Sequence, residues 1–392
     1  MIDAPEKQKW QTILQRQKRA NVERWLQRIQ ERGTSSDLVV QEYDNLLRAL
    51  ELVVSSPDDF DLAYRLIQAL YPEVFGFADW DRWLVYLEQA RTTSQQLNYL
   101  EEEANLAVQI GEVHYYCGNL EEAKLNYYQA QGIYEALQLL AKKANALSKL
   151  AVLYESQGPE GLALCQEALA LAQIAQDEGV IADIQMNISH IWARMYEWEA
   201  GLQAAESAYV LYQKQNEQTK AVKAFFNMMT CWEKLGRWDE AEKASEQLRD
   251  VLTKMQDVHT LAKLKNNLGV MAFSQEKWDA AERNWQEALQ LQSQLQNPAE
   301  RAFLLNNLGL VYTQMGETAV AKTMLQQAIT IQQALGDTFN WANAMDNLAD
   351  LYLMMGDTAA ARQVIRETVS PLSALDAPHA RKLLADMQAK LP

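Results

Sequence analysis

The chain has 392 residues, a formal net charge of −16 and 48% hydrophobic residues. That supplies ample apolar material for a core, and so acidic a balance argues against general nucleic-acid binding. Eight prolines and 15 glycines are few for this length, which favours helix over a loop-rich β architecture.

The first predicted element is a long helix over residues 5–31. Trp10, Ile13, Leu14, Trp25, Leu26 and Ile29 form its apolar side. No charged segment followed by an apolar stretch opens the chain, so no secretory signal is expected. Residues 1–32 carry eight Lys/Arg against four acids, a balance of +4 that leaves −20 for the remainder. A solvated helix face is one reading of these charges. A basic arm that docks on an acidic surface, or pairs with a second copy, is the other. Residues 1–60 are read as an N-terminal helical segment.

From residue 61 to 370 a 40-residue period governs the sequence. Asn187, Asn227, Asn267, Asn307 and Asn347 recur at 40-residue steps inside similar blocks, such as NNLGVMAFSQEKWDAA (266–281) and NNLGLVYTQMGETAVA (306–321). A fixed period of this size means a solenoid, in which each unit packs on its neighbours. In the type unit, Leu308 and Tyr312 fall on one face of a first helix. Gly309 permits close approach of a partner helix, and Gly316 supplies the backbone freedom for a turn. Ala321 and Ala328 are small residues where a second helix crosses its neighbours.

The turn position recurs at Ala78, Gly118, Gly158, Tyr196, Gly236, Glu276, Gly316 and Gly356, with a 38-residue step between Gly158 and Tyr196. The small residue twelve positions later recurs at Ala90, Ala130, Ala170, Ala208, Ala288 and Ala328, with Leu248 and Thr368 departing from it. Trp80, Trp198, Trp238 and Trp278, two residues after the turn, are expected to wedge between hairpins. The expectation is an all-α, right-handed α-solenoid of about eight helical hairpins. Residues 371–392 then give a C-terminal capping helix, with Asp376 as N-cap and Pro378 in its first turn.

Reaction chemistry finds little footing. The four histidines, His114, His190, His259 and His379, form no HExxH or Cys–His pattern. No GxSxG, EF-hand or phosphate-binding glycine loop occurs. Cys117, Cys165 and Cys231 form no CxxC pair and read as buried small hydrophobes in a reducing, cytoplasmic compartment. No apolar run of about 18 residues predicts a membrane span. The reading is a non-enzymatic protein without cofactor or metal.

The spacing of Leu308, Gly309, Tyr312, Gly316, Ala321 and Ala328 resembles the tetratricopeptide (TPR) family, and the 40-residue period resembles its kinesin-light-chain-like subgroup. A second resemblance, carried by Asn45, Leu46, Ala49, Leu50, Leu66, Ala69, Leu70, Trp83, Leu87 and Ala90, is to the segment before the TPR sensor of bacterial NB-ARC-type signal-transduction ATPases. The GxxxxGK[ST] loop of an ATPase is absent.

The TPR resemblance implies that the first helix of each hairpin lines a concave groove. It assigns to that groove the five asparagines, Arg194, Lys223, Phe226, Lys263, Asn266, Phe273, Phe303 and Asn306. A carboxamide can donate and accept together, so such a ladder could grip a peptide backbone or could order the stack of hairpins. Arg194, Lys223 and Lys263 partly resemble the carboxylate clamp of chaperone-binding TPR domains. The expected partner is therefore an extended, acidic protein segment or, alternatively, a small ligand or peptide signal relayed to an effector.

Overall fold

The computed structural model describes residues 4–32, 36–74, 79–154, 158–293, 297–375 and 378–390. All regular structure among them is helical. Residues Ala78 and Asp376, expected at a turn and at an N-cap, lie outside the described residues.

Two helices open the chain, α1 (Ala4–Arg32) and α2 (Ser36–Glu51). After a single 3-10 turn come eight helical hairpins. They are α3 (Phe60–Val74) with α4 (Trp80–Leu97), α5 (Leu100–Tyr116) with α6 (Leu120–Ala136), and α7 (Leu140–Val152) with α8 (Gly158–Ile174). Next come α9 (Glu178–Arg194) with α10 (Trp198–Lys214), and α11 (Gln218–Leu235) with α12 (Trp238–Met255). The last three are α13 (Val258–Ser274) with α14 (Trp278–Gln292), α15 (Pro298–Gln314) with α16 (Thr318–Leu335), and α17 (Thr338–Met354) with α18 (Thr358–Ser373). A final helix, α19 (Pro378–Ala389), follows. The chain forms two compact units, Met1–Met228 and Met229–Pro392, and the division falls within α11.

Turn chemistry explains how sixteen helices alternate. Gly118, Gly236, Gly316 and Gly356 all take positive φ, between +67° and +80°, where glycine pays no steric penalty. Tyr196 (φ +63°) and Glu276 (φ +57°) adopt the same left-handed conformation without being glycine. The turn is thus retained where its usual residue is not, because both neighbouring helices fix it. Asp177, Asp257, Asn297, Asp337 and Asp357 cap the next helices by accepting backbone N–H bonds.

Gly158 is different. It is the first residue of α8, buried against Met195, and not a turn residue. The second helices α6, α8 and α10 begin at 120, 158 and 198, so the 38-residue step precedes α8. The cause is α7, which has only 13 residues. The small crossing residue of this hairpin is consequently Ala168, fully buried, and the expected Ala170 is exposed.

In the first unit, Val22, Trp25, Leu26 and Ile29 of α1 join Leu46, Leu50, Leu66, Leu70, Trp83 and Leu87 in one core. Trp10, Ile13 and Leu14, the other half of the apolar side of α1, are exposed. Arg19 pairs with the buried Asp59 and donates to Asp58 O at 3.0 Å, so the basic helix docks on acidic groups of its own unit. The Trp80 ring stacks on Tyr116 of the following hairpin at 5.7 Å. In the second unit Trp278 instead packs inside its own hairpin, 5.0 Å from Phe273. Cys165 and Cys231 are buried, whereas Cys117, at the end of α5, is exposed.

The second unit packs its hairpins through glycine contacts. A Cβ on Gly309 would lie 2.5 Å from Leu325 Cγ, and one on Gly269 would lie 2.5 Å from Trp285 Nε1. α19 covers the end of this stack with Ala380 and Met387, both fully buried. Gly309→Ala is expected to cost about 1–3 kcal/mol through overpacking. Gly132→Ala is expected to gain up to about 1 kcal/mol, since Gly132 lies inside α6 with open space around it. Thermal unfolding followed by circular dichroism checks both signs.

Candidate functional site

The recurrent asparagine is the tenth residue of the first helix in hairpins four to eight. In the second unit it makes a ladder between successive first helices. Asn307 Nδ2 donates to Asn266 Oδ1 at 3.1 Å, and Asn347 Nδ2 donates to Asn306 Oδ1 at 2.8 Å. Asn266 Nδ2 in turn lies 3.4 Å from Asn267 Oδ1. The pattern is a tenth-residue amide reaching the ninth residue of the preceding first helix. Asn306 and Asn307 are buried, so their pairing is a structural need, with about 1–3 kcal/mol at stake for each orphaned group.

The same rule operates in the first unit with different residues. Gln109 Nε2 donates to Gln68 Oε1 at 3.0 Å, and Asn187 Nδ2 to Ser148 Oγ at 2.7 Å. Lys149 holds the tenth position of α7 but departs from the rule, pairing with Glu112, the thirteenth residue of α5, which also accepts from Tyr71 Oη. Burial works against the Lys149 ammonium, but Glu112 outweighs it and raises its pKa. Asn227, in α11, is half-buried. The short α7 hid Gln109 and Lys149 from the sequence reading, because counting back in 40s from Asn187 lands on Leu147 and Ala107.

The ladder ends on a lysine. Asp346, ninth in α17, meets no amide of a following first helix among the described residues, and Lys390 Nζ reaches it at 2.7 Å. Lys390 also bonds Asp350 at 2.8 Å. Burial raises the pKa of Asp346 despite the Lys390 bond. Burial lowers that of Lys390, yet its two carboxylates dominate and the net shift is upward.

The remaining expected residues lie in differing surroundings. Lys223 and Arg194 are exposed in the first unit, and Lys263 is exposed in the second. Burial and the Lys263 charge hold His259 below its ordinary pKa. Phe226 is half-buried with its ring 6.3 Å from Phe225. Phe273 is engaged by Trp278 and Trp285, so it is a core residue of its hairpin more than an open pocket wall. Phe303 is 40% exposed and lines a pocket with Glu300, Gln332, Leu335 and Asp337.

A second interhelical contact was not foreseen. The fifteenth residue of α6, Tyr134, donates to Asn105 Oδ1 at 2.9 Å, and Lys142 of the next hairpin bonds the same oxygen at 3.1 Å. In α10 the equivalent Tyr212 donates to Asp183 at 2.7 Å, joined by Lys220 at 2.9 Å. Tyrosine at these two positions is the sequence signal.

The family model described as tetratricopeptide repeat matches residues 260–334 and 300–370. The chain carries tetratricopeptide repeats. No curated protein matches its sequence. Among solved structures, the chain is similar to a signal transduction ATPase with numerous domains (STAND) from Pyrococcus horikoshii that has a tetratricopeptide repeat sensor. The TM-score is 0.65 at 11% identity, over 95% of this TPR chain and 55% of that protein. It therefore spans about half the length of that relative. It is also similar to a Rap protein complexed with Competence and Sporulation Factor (TM-score 0.53, 17% identity, 74% of this chain and 80% of that one). Aspartyl phosphate phosphatase F from Bacillus subtilis matches with TM-score 0.51 at 16% identity, over 78% and 77% of the two chains. At these identities the likeness establishes the fold.

The ladder's end on Lys390 gives a test. Lys390→Met removes the counter-ion of the largely buried Asp346 carboxyl, and should cost about 1–3 kcal/mol at neutral pH. Because the folded pKa of Asp346 is raised, the folded state takes up its proton first as pH falls. The deficit should shrink in acid as pH drops through that raised pKa. Adding Asp346→Asn should recover most of the loss at neutral pH. Melting temperatures from pH 4 to 8 measure both effects.

Proposed function

We propose that this TPR protein is a non-catalytic interaction scaffold that holds an extended segment of a partner protein along the face of its first helices. The observation that carries the reading is how little of the Asn187 and Asn347 amides the stack consumes. A carboxamide has two N–H donors and an accepting oxygen. Asn187 and Asn347 each engage donors only within the stack, at Ser148 and Asn306. Their oxygens accept no bond from the described residues, and both side chains are only partly buried. An extended backbone offers alternating N–H and C=O groups to such amides, whatever its side chains.

Ordering the stack and gripping a backbone are therefore compatible roles for one residue. Leu310, Thr230 and Val270, three positions beyond the asparagines, are incompletely buried and supply contact surface around the amides.

A second reading is a sensor that binds a small ligand or peptide signal and relays it. The likeness over 95% of the chain to a STAND protein with a tetratricopeptide repeat sensor supports it, as does the likeness to a Rap protein complexed with Competence and Sporulation Factor. In that case the α1–α4 core would be the element that responds.

The test uses peptides selected from a random display library on the intact protein. Leu310→Lys touches no ladder bond and should weaken a selected peptide by about tenfold or more, with helicity and melting unchanged. Equal affinity for the variant would move recognition away from this face. A small ligand that raises the melting temperature and changes amide exchange in α1 and α2, with no peptide selected, would favour the sensor.

A further inference from the structure

The tyrosine–lysine contacts of hairpins two and four have a counterpart in hairpin seven that is chemically incomplete. The corresponding fifteenth residue of α16 is Gln332. It is 4% exposed, and its Oε1 is buried with no hydrogen-bond partner among the described residues. The sixth residue of α15, where Asn105 and Asp183 accept in the other two hairpins, is Phe303. The third residue of the following helix, where Lys142 and Lys220 supply an ammonium, is Asn340. Asn340 turns instead to the capping Asp337, with Nδ2 at 2.7 Å from Oδ2.

What remains is a pocket of about 250 Å³ between the starts of α15 and α17. Its lining includes two carboxylates, Glu300 and Asp337, and no Lys or Arg. Glu300 forms no ion pair among the described residues. Phe303 and Leu335, 40% and 46% exposed, make apolar walls beside the acids. An uncompensated acceptor in a buried position is costly unless something donates to it. In hairpins two and four the acceptor of this contact, Asn105 or Asp183, takes both the tyrosine hydroxyl and the chain's own lysine.

We propose that this pocket binds an alkylammonium or guanidinium group on an apolar stem, that is, a lysine or arginine side chain of a bound peptide. The cation would donate to Gln332 Oε1 and lie beside Glu300 and Asp337, with its stem on Phe303 and Leu335. The inference rests on the peptide-scaffold reading for the source of the cation, but not for the chemistry of the pocket. It reverses the expectation of an acidic partner for this part of the face.

Two probes separate the claims. The first is n-butylammonium, titrated into the intact protein while the side-chain amide signals are followed by NMR, with n-butanol as the neutral control. The expected result is a saturable shift of the Gln332 amide with the ammonium only, absent in Glu300→Gln. A further variant, Asn340→Lys, reproduces the residue found at this position in α7 and α11. It should fill the pocket from within, raise the melting temperature and abolish the butylammonium response. No response to butylammonium, or an equal response to butanol, overturns the proposal and leaves water as the pocket's occupant.

The second probe is a pair of random heptapeptide pools whose central residue is fixed as lysine or as norleucine. The lysine pool should bind at least about tenfold more tightly, as expected for a charge-assisted hydrogen bond. Glu300→Gln should erase that preference. Peptide binding indifferent to the central charge overturns the cation pocket while leaving the scaffold reading intact. A butylammonium response with neither pool bound keeps the pocket and removes the scaffold reading.

Discussion

A polar side chain buried between two first helices must be satisfied by the element packed next to it. That constraint underlies the second unit most visibly, where Asn307 and Asn347 each reach back 41 residues to Asn266 and Asn306. Apolar packing by itself tolerates sliding, because one leucine replaces another at small cost. A buried amide that must meet its partner at about 3 Å does not tolerate it, since a slip leaves two groups unpaired. The ladder therefore sets the register of hairpin on hairpin, and the glycine contacts at Gly269 and Gly309 set the spacing between the two helices of a hairpin.

The same constraint explains why the residue type changes along the chain while the position does not. Glutamine at 68 and 109, serine at 148 and aspartate at 346 all serve where asparagine serves elsewhere. Each substitution is matched by its partner. The shorter serine accepts from an asparagine, and the aspartate meets an ammonium. Lys390 closes the last rung with a charge because the group it meets is charged. A neutral amide there would leave the Asp346 carboxylate without its counter-ion in a site already unfavourable to ionisation.

Much of this was legible in the sequence, for a physical reason. Helical hairpins stacked on identical neighbours impose one period on apolar and polar residues alike, so Asn267, Asn307 and Asn347 announce both the fold and its polar seam. Legibility failed where the period changed. α7 is short, and that shifted Gly158 from a turn to a helix start and moved the crossing position from Ala170 to Ala168. It also concealed that Gln109 and Lys149 belong to the seam. Lys390 was not legible because it acts from outside the period. Phe273 was misleading for another reason: an aromatic at a surface-facing helical position can fold back onto tryptophans of its own hairpin, and Trp278 and Trp285 provide that surface.

The distribution of satisfied charges separates the two units. In the first, Lys142, Lys149 and Lys220 are already held by Glu101, Glu112 and Asp183. Their contribution to recognising an acidic ligand is correspondingly reduced, since each carries its counter-ion with it. In the second, the equivalent third positions of α15 and α17 carry Glu300 and Asn340, and neither brings a cation into the contact. Gln292 and Gln332 occupy the tyrosine position of α14 and α16, and both have a buried oxygen without a partner among the described residues. Two unsatisfied acceptors at the same place in successive hairpins make one isolated packing flaw a poor account of either. A chain that closes this contact with lysine twice and leaves it open twice has divided its hairpins between those that satisfy themselves and those with capacity for a donor from outside.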